Sequence, residues 1–184
     1  MSTLQSSSFS CKFTYDVFLS FRGSDTRSGF TGNLYKALCD RGVHTFIDNE
    51  ELPRGDEIKQ SLVKAIEESN ILIPVFSTNY ASSSFCLDEL VHIIHCSKSK
   101  DRRLVLPVFY NIDPTHVRHQ TGSIGEALEN HEVKFQNNDT YYMERLLKWK
   151  MALKQAAALS GYHFDLAGYL TSFFVSYIIH CLMI

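Results

Sequence analysis

Apolar residues fall along this chain in two alternating rhythms. Tyr15 to Phe21, Val43 to Ile47, Asn70 to Phe76 and Leu104 to Phe109 are short, nearly continuous apolar runs, the pattern of strands covered on both faces. Between them the apolar positions take helical spacing: Phe30, Leu34, Ala37 and Leu38 within Gly29 to Asp40, then Ile58, Leu62, Val63, Ala65 and Ile66. Gly42 is placed to stop the first helix and Asp56 to cap the second. Further helical patterns cover Leu87 to Cys96, Ser123 to Phe135 and Tyr141 to Leu159, with Gly161 closing the last. Strands alternating with helices predict βαβ crossovers, hence an α/β fold with a parallel β-sheet and helices on both faces.

In such sheets ligands bind beyond the carboxyl ends of the strands. The first strand ends abruptly in Arg22-Gly23-Ser24-Asp25-Thr26-Arg27. One reading is a core strand followed by a polar turn. The other is an anion site, with the forked donors of Arg22 and a close backbone approach at Gly23. Two histidine clusters, His92-x-x-His95-Cys96 and His116-x-x-His119, invite a metal reading. Zinc requires three or four convergent ligands; the second cluster falls in a predicted loop and no strong spacing joins the two, so no metal site is expected.

Composition narrows the class. The 184 residues suit one domain, and a net charge of −2 without a lysine/arginine stripe argues against nucleic acid as the main partner. Five cysteines, odd in number and without C-x-x-C spacing, read as reduced thiols of a cytoplasmic protein. Residues 1–12 read as a disordered, serine-rich leader with no secretory signal. Residues 13–164 read as the folded domain. From Leu166 to Ile184 there is no Asp, Glu, Lys or Arg. This tail (165–184) reads in three ways: a divergent docked helix, a membrane anchor, or sequence foreign to the domain. A membrane span needs roughly 20 mostly apolar residues, so any membrane association rests on 166–184 alone.

Among flavodoxin-like layouts, a bacterial receiver would need an aspartate where the third strand ends Val75-Phe76-Ser77. Neither G-x-G-x-x-G nor G-x-x-x-x-G-K-[ST] follows a strand. The opening block Tyr15 to Arg27, Phe30-Thr31-Gly32-Asn33-Leu34, Phe46-Ile47-Asp48, Leu52-Pro53-Arg54-Gly55 and Val75 to Ser83 form one ordered set. Cys86-Leu87-Asp88-Glu89-Leu90, Leu106 to Tyr110, Asp113-Pro114 and Ala157 to Tyr162 continue it. Over about Tyr15 to Phe164 the chain resembles the plant Toll/interleukin receptor (TIR) domains of intracellular immune receptors.

That resemblance implies the TIR variant of the flavodoxin-like fold and an NAD+ nucleosidase of the ADP-ribosyl cyclase type. The products would be nicotinamide and ADP-ribose or a cyclised derivative, in plant defence or cell-death signalling. It implies Glu89 as the catalytic residue, Arg22 and Gly23 bordering the nucleotide, Asp48 at the pocket mouth, and Phe85 where the family usually has tryptophan. It also implies self-association, with other TIR domains or further copies as partners and the Asp48–Gly55 loop packing on a neighbour. Gly161 matches a glycine of a second association surface. Gly32-Asn33 stands where relatives carry a small residue and histidine. A catalytically silent adaptor, signalling by TIR–TIR binding, is the alternative reading.

Read without the resemblance, Glu89 is a solvated helix carboxylate. Asp88 points about 100° away, so the two make no close acid–base pair, while His92 lies one turn beyond Glu89. One carboxylate suffices for the implied reaction. Glycosidases use two because the leaving oxygen must be protonated, whereas nicotinamide leaves as a neutral molecule. What remains is to stabilise an oxocarbenium-like cation and hold the ribose.

Overall fold

The computed structural model describes residues 13–47, 60–98, 103–134, 140–164 and 171–183. The expected leader, Asp48 with its loop to Gly55, and Asp56 lie outside the described residues.

The apolar runs form β1 (Tyr15–Phe21), β2 (Thr45–Ile47) and β3 (Ser69–Phe76). The expected fourth strand is split into β4 (Leu104–Val105) and β5 (Val108–Tyr110). Pro107 has no N–H to donate, so the ladder is interrupted there. The register against β3 is kept across the gap, Leu72 opposite Val105 and Val75 opposite Val108. A sixth strand, β6 (Tyr162–Phe164), was not expected. All pairings are parallel in the order β2-β1-β3-β5-β6, with β4 also beside β3.

The helices are α1 (Gly23–Thr26), α2 (Phe30–Cys39), α3 (Gln60–Glu67), α4 (Ser84–Ser97), α5 (Pro114–His119), α6 (Gly122–Lys134), α7 (Thr140–Ala156) and α8 (Thr171–Leu182). Gly42, at φ 77°, follows α2 as the expected stop. The loop assigned to His116 and His119 is instead α5. Asp113 caps it by accepting the Thr115 N–H at 2.7 Å, and Pro114 occupies its first turn.

Strand periodicity sorts β1 between the two layers. Val17, Leu19 and Phe21 pack with Leu34 and Leu38 of α2 and with Phe174, Val175 and Ile178 of α8. Phe18 packs on the other side with Leu62 and Ile66 of α3 and Ile93 of α4. The α4–α7 side holds a third cluster around Phe76, Leu87, Phe109 and Trp149.

Within the tail, α8 packs on the domain. Phe174 is 1% exposed, and its ring lies 4.6 Å from Tyr162 and 5.5 Å from Phe164. No described helix is long and apolar enough to cross a membrane.

Gly161 does not cap α7, which ends at Ala156, and its φ is not positive. A Cβ at Gly161 would stand 2.7 Å from Phe109 Cε2 and 2.8 Å from the Pro107 carbonyl oxygen. Close approach of the entry to β6 is what requires glycine here.

Candidate active site

The sheet order reverses between β1 and β3, the kind of switch point beyond whose strand ends ligands bind in open α/β sheets. On β1 the alternation that directs Phe18 toward α3 and α4 directs Ser20 the same way. Ser20 is fully buried and donates to Glu89 Oε2 at 2.6 Å. Its oxygen also lies 2.9 Å from the Tyr80 hydroxyl, and Tyr80 donates to the Cys86 carbonyl at 3.0 Å. Glu89 is therefore not the solvated residue that its helix position alone suggests: it is 7% exposed.

The start of α4 sets this geometry. Ser83 caps the helix by accepting the Cys86 N–H at 3.3 Å. Phe85, half-buried, then falls one turn before Glu89. The Cys86 thiol donates to the Phe21 carbonyl at 3.5 Å. Burial pushes the Cys86 thiol well up, and the charge of Glu89 adds to this. Burial likewise raises Tyr80, and the nearby Glu89 charge adds to this. Both groups thus stay protonated beside the carboxylate, and Cys86 is a structural thiol rather than a nucleophile.

Arg22 ion-pairs with Asp25 at 2.5 Å, with about a third of its side chain exposed. Asp25 also accepts from Ser77 Oγ at 2.6 Å and from the Asn79 N–H at 3.2 Å. Burial alone would raise Asp25, but the Ser77 and Arg22 hydrogen bonds, the Arg22 charge and the Asn79 N–H together hold it below its usual value. Gly23 opens α1, and a Cβ there would come within 3.2 Å of the Arg27 guanidinium. The group that approaches Gly23 is thus Arg27, which lies over the Phe21 ring.

Asp88 faces away from Glu89. It receives Arg145 Nε at 3.1 Å, Arg145 Nη2 at 2.5 Å and Trp149 Nε1 at 2.7 Å, tying α4 to α7. His92 shares a cavity of about 380 Å³ with Asp88, Tyr141 and Lys148, on the Asp88 side of the helix. Among the described residues no three His, Cys, Asp or Glu side chains converge as a metal site would require.

The structure holds Glu89 against Ser20 of β1, with Phe85 one turn earlier on α4 and the Arg22–Gly23 turn following the same strand. Ser20, Tyr80, Asp25 and Ser77 belong to the same constellation and were not singled out from the sequence. The available signal was Ser20 itself, a polar residue inside an otherwise apolar strand.

Fold and site define a doubly wound α/β domain presenting a carboxylate at its switch point. A family model described as "TIR domain" matches residues 14–178, and the chain belongs to that family. The match extends into α8. The chain is 48% identical over 158 residues to TMV resistance protein N of Nicotiana glutinosa, covering 86% of this chain and 13% of that protein. It is 51% identical over 150 residues to disease resistance protein RPV1 of Vitis rotundifolia, covering 82% of this chain and 10% of that protein. The chain thus spans only a small part of the length of these relatives. Among solved structures, the TIR domains of the activated Roq1 resistosome directly recognizing the pathogen effector XopQ superpose with a TM-score of 0.73. They are 42% identical, with 92% of this chain and 99% of that one covered.

Proposed function

We propose that this domain cleaves the nicotinamide–ribose bond of NAD+, with Glu89 as the catalytic carboxylate. The observation that carries the reading is the Glu89 side chain held at the switch point, largely buried and hydrogen-bonded by Ser20. The C–N bond electrons leave with neutral nicotinamide. The carboxylate stabilises the ribosyl cation left behind. Water captures that cation and loses a proton to give ADP-ribose, or a nucleophile within the same molecule captures it to give a cyclised product. Arg22 and Gly23 border the nucleotide's oxygens, and Phe85 stacks on a substrate ring.

Membership of the TIR family and similarity to resistance proteins support a role in plant defence signalling. The resistosome relative supports activation by assembly with other TIR domains. Free thiols at Cys39, Cys86, Cys96 and Cys181 suit the cytoplasm. The test is nicotinamide release from NAD+ by concentrated protein, compared with Glu89→Ala. Turnover by the wild type that is lost in the variant is expected, and equal turnover would overturn the assignment.

A second reading is a silent TIR adaptor, favoured by Phe85 offering a smaller ring than tryptophan. It predicts no NAD+ turnover at any protein concentration together with retained binding to a TIR partner.

A further inference from the structure

We infer that the outer face of α7 is a self-association surface whose partner is a second copy of this chain, related by a two-fold axis. Met143, Leu147 and Met151 are 49%, 59% and 52% exposed. At four-residue spacing they lie within about 40° of a single line along the helix. The opposite face of α7 carries Arg145, Leu146, Trp149 and Leu153, all buried against the domain. The helix is therefore apolar on both sides, and among the described residues only one side is covered. Met143 and Leu147 also border a cavity of about 340 Å³ between α6 and α7, so the stripe presents relief as well as apolar area.

Its arrangement is self-complementary. The stripe reads the same in both directions about Leu147, as an isologous contact requires. In two antiparallel copies Leu147 meets Leu147, and each Met143 meets Met151 of the second copy. Glu144 and Lys148 flank the stripe on one side, Glu144 about 4.5 Å before Leu147 along the axis and Lys148 about 1.5 Å after it. The two-fold turns each Glu144 to within about 3 Å, along the axis, of Lys148 on the other copy, and does so twice; the two Lys148 approach each other to the same extent, each flanked by a Glu144 of the other copy. On the opposite flank Lys150 is already paired with Glu132 at 3.2 Å, so the two Lys150 side chains do not meet as bare charges. One helix pair is small beside the roughly 1,200–2,000 Å² of a stable interface, so the contact is weak and concentration-dependent. It stands apart from the NAD+ reading, and α7 is distinct from the loop expected to pack on a neighbour.

The test is sedimentation velocity of the full chain over a concentration series, with thermal melting to confirm that each variant is folded. The wild type is expected to self-associate, and Leu147→Glu to weaken association about tenfold or more. Glu144→Lys and Lys148→Glu, each alone, place like charges across the axis and weaken it about tenfold. An equimolar mixture of those two variants makes both cross-pairs attractive again and is expected to regain wild-type association. Absence of association in the wild type, singly charged variants that match it, or a mixture no tighter than its components would each overturn the proposal. Burial of the stripe by residues 135–139, or by an unrelated protein, gives one of those three results.

Discussion

Ser20 of β1 donates a 2.6 Å hydrogen bond to the Glu89 carboxylate of α4, across a chain separation of 69 residues. The bond fixes the orientation of the carboxylate against the core. Under the proposed chemistry, Ser20→Ala is expected to lower kcat about tenfold while changing KM less, because orientation matters most in the transition state. Tyr80→Phe, which leaves Ser20 in place, should cost less. Steady-state kinetics of nicotinamide release decide it, and an unchanged kcat in folded Ser20→Ala would show that the bond is only structural.

Asp88 and Arg145 form an ion pair with side chains 13% and 9% exposed. Removing one partner leaves a desolvated charge unanswered, so Asp88→Ala should destabilise the domain by about 3 kcal/mol. The loss is read in urea unfolding. A change below about 1 kcal/mol would mean that water replaces the carboxylate without penalty.

Gly161 and Gly42 need glycine for different reasons, and alanine separates them. Gly161→Ala forces a methyl group against Phe109 and the Pro107 carbonyl, where β6 joins β5, and should cost about 1–3 kcal/mol. Gly42→Ala meets open space at φ 77° and should cost about 1 kcal/mol from backbone conformation alone. Equal melting shifts, with an undisturbed β6, would contradict the packing account.

Acid should weaken the fold first through histidine. Burial is the main cause lowering His131, which donates to the Ala81 carbonyl at 3.0 Å, and burial also lowers His92. Below about 6.5 the unfolded chain takes up protons that the folded chain still refuses, so stability falls as pH drops through that window. His131→Gln keeps a donor for Ala81 and should flatten the slope of unfolding free energy between about pH 6.5 and 5. Parallel slopes in the two proteins would locate the acid sensitivity elsewhere.

Much of the fold was legible because its signals are local. β1 and β3 are continuous apolar runs, and α2 carries its stripe in plain view. Asp113-Pro114 was also a local signal, a cap followed by a first-turn proline, but six residues were too few to show periodicity. β6 has only three residues, and its pairing to β5 lies beyond the reach of any pattern. Split pairing at Pro107 follows from one missing donor, which the apolar run concealed. The docked tail could not be separated from an anchor by composition, since what covers Phe174 is Tyr162 and Phe164. At the site the limit is sharper. The burial of Glu89 depends on Ser20, and the anchoring of Asp88 on Arg145 and Trp149, all brought in from distant segments.

Asp25 joins two strand ends that the chain places far apart. By gripping Arg22, Ser77 and the Asn79 amide at once, it ties the turn after β1 to the turn after β3. The spacing of the β1 and β3 ends is therefore held by one carboxylate, so its loss would be felt at both turns together.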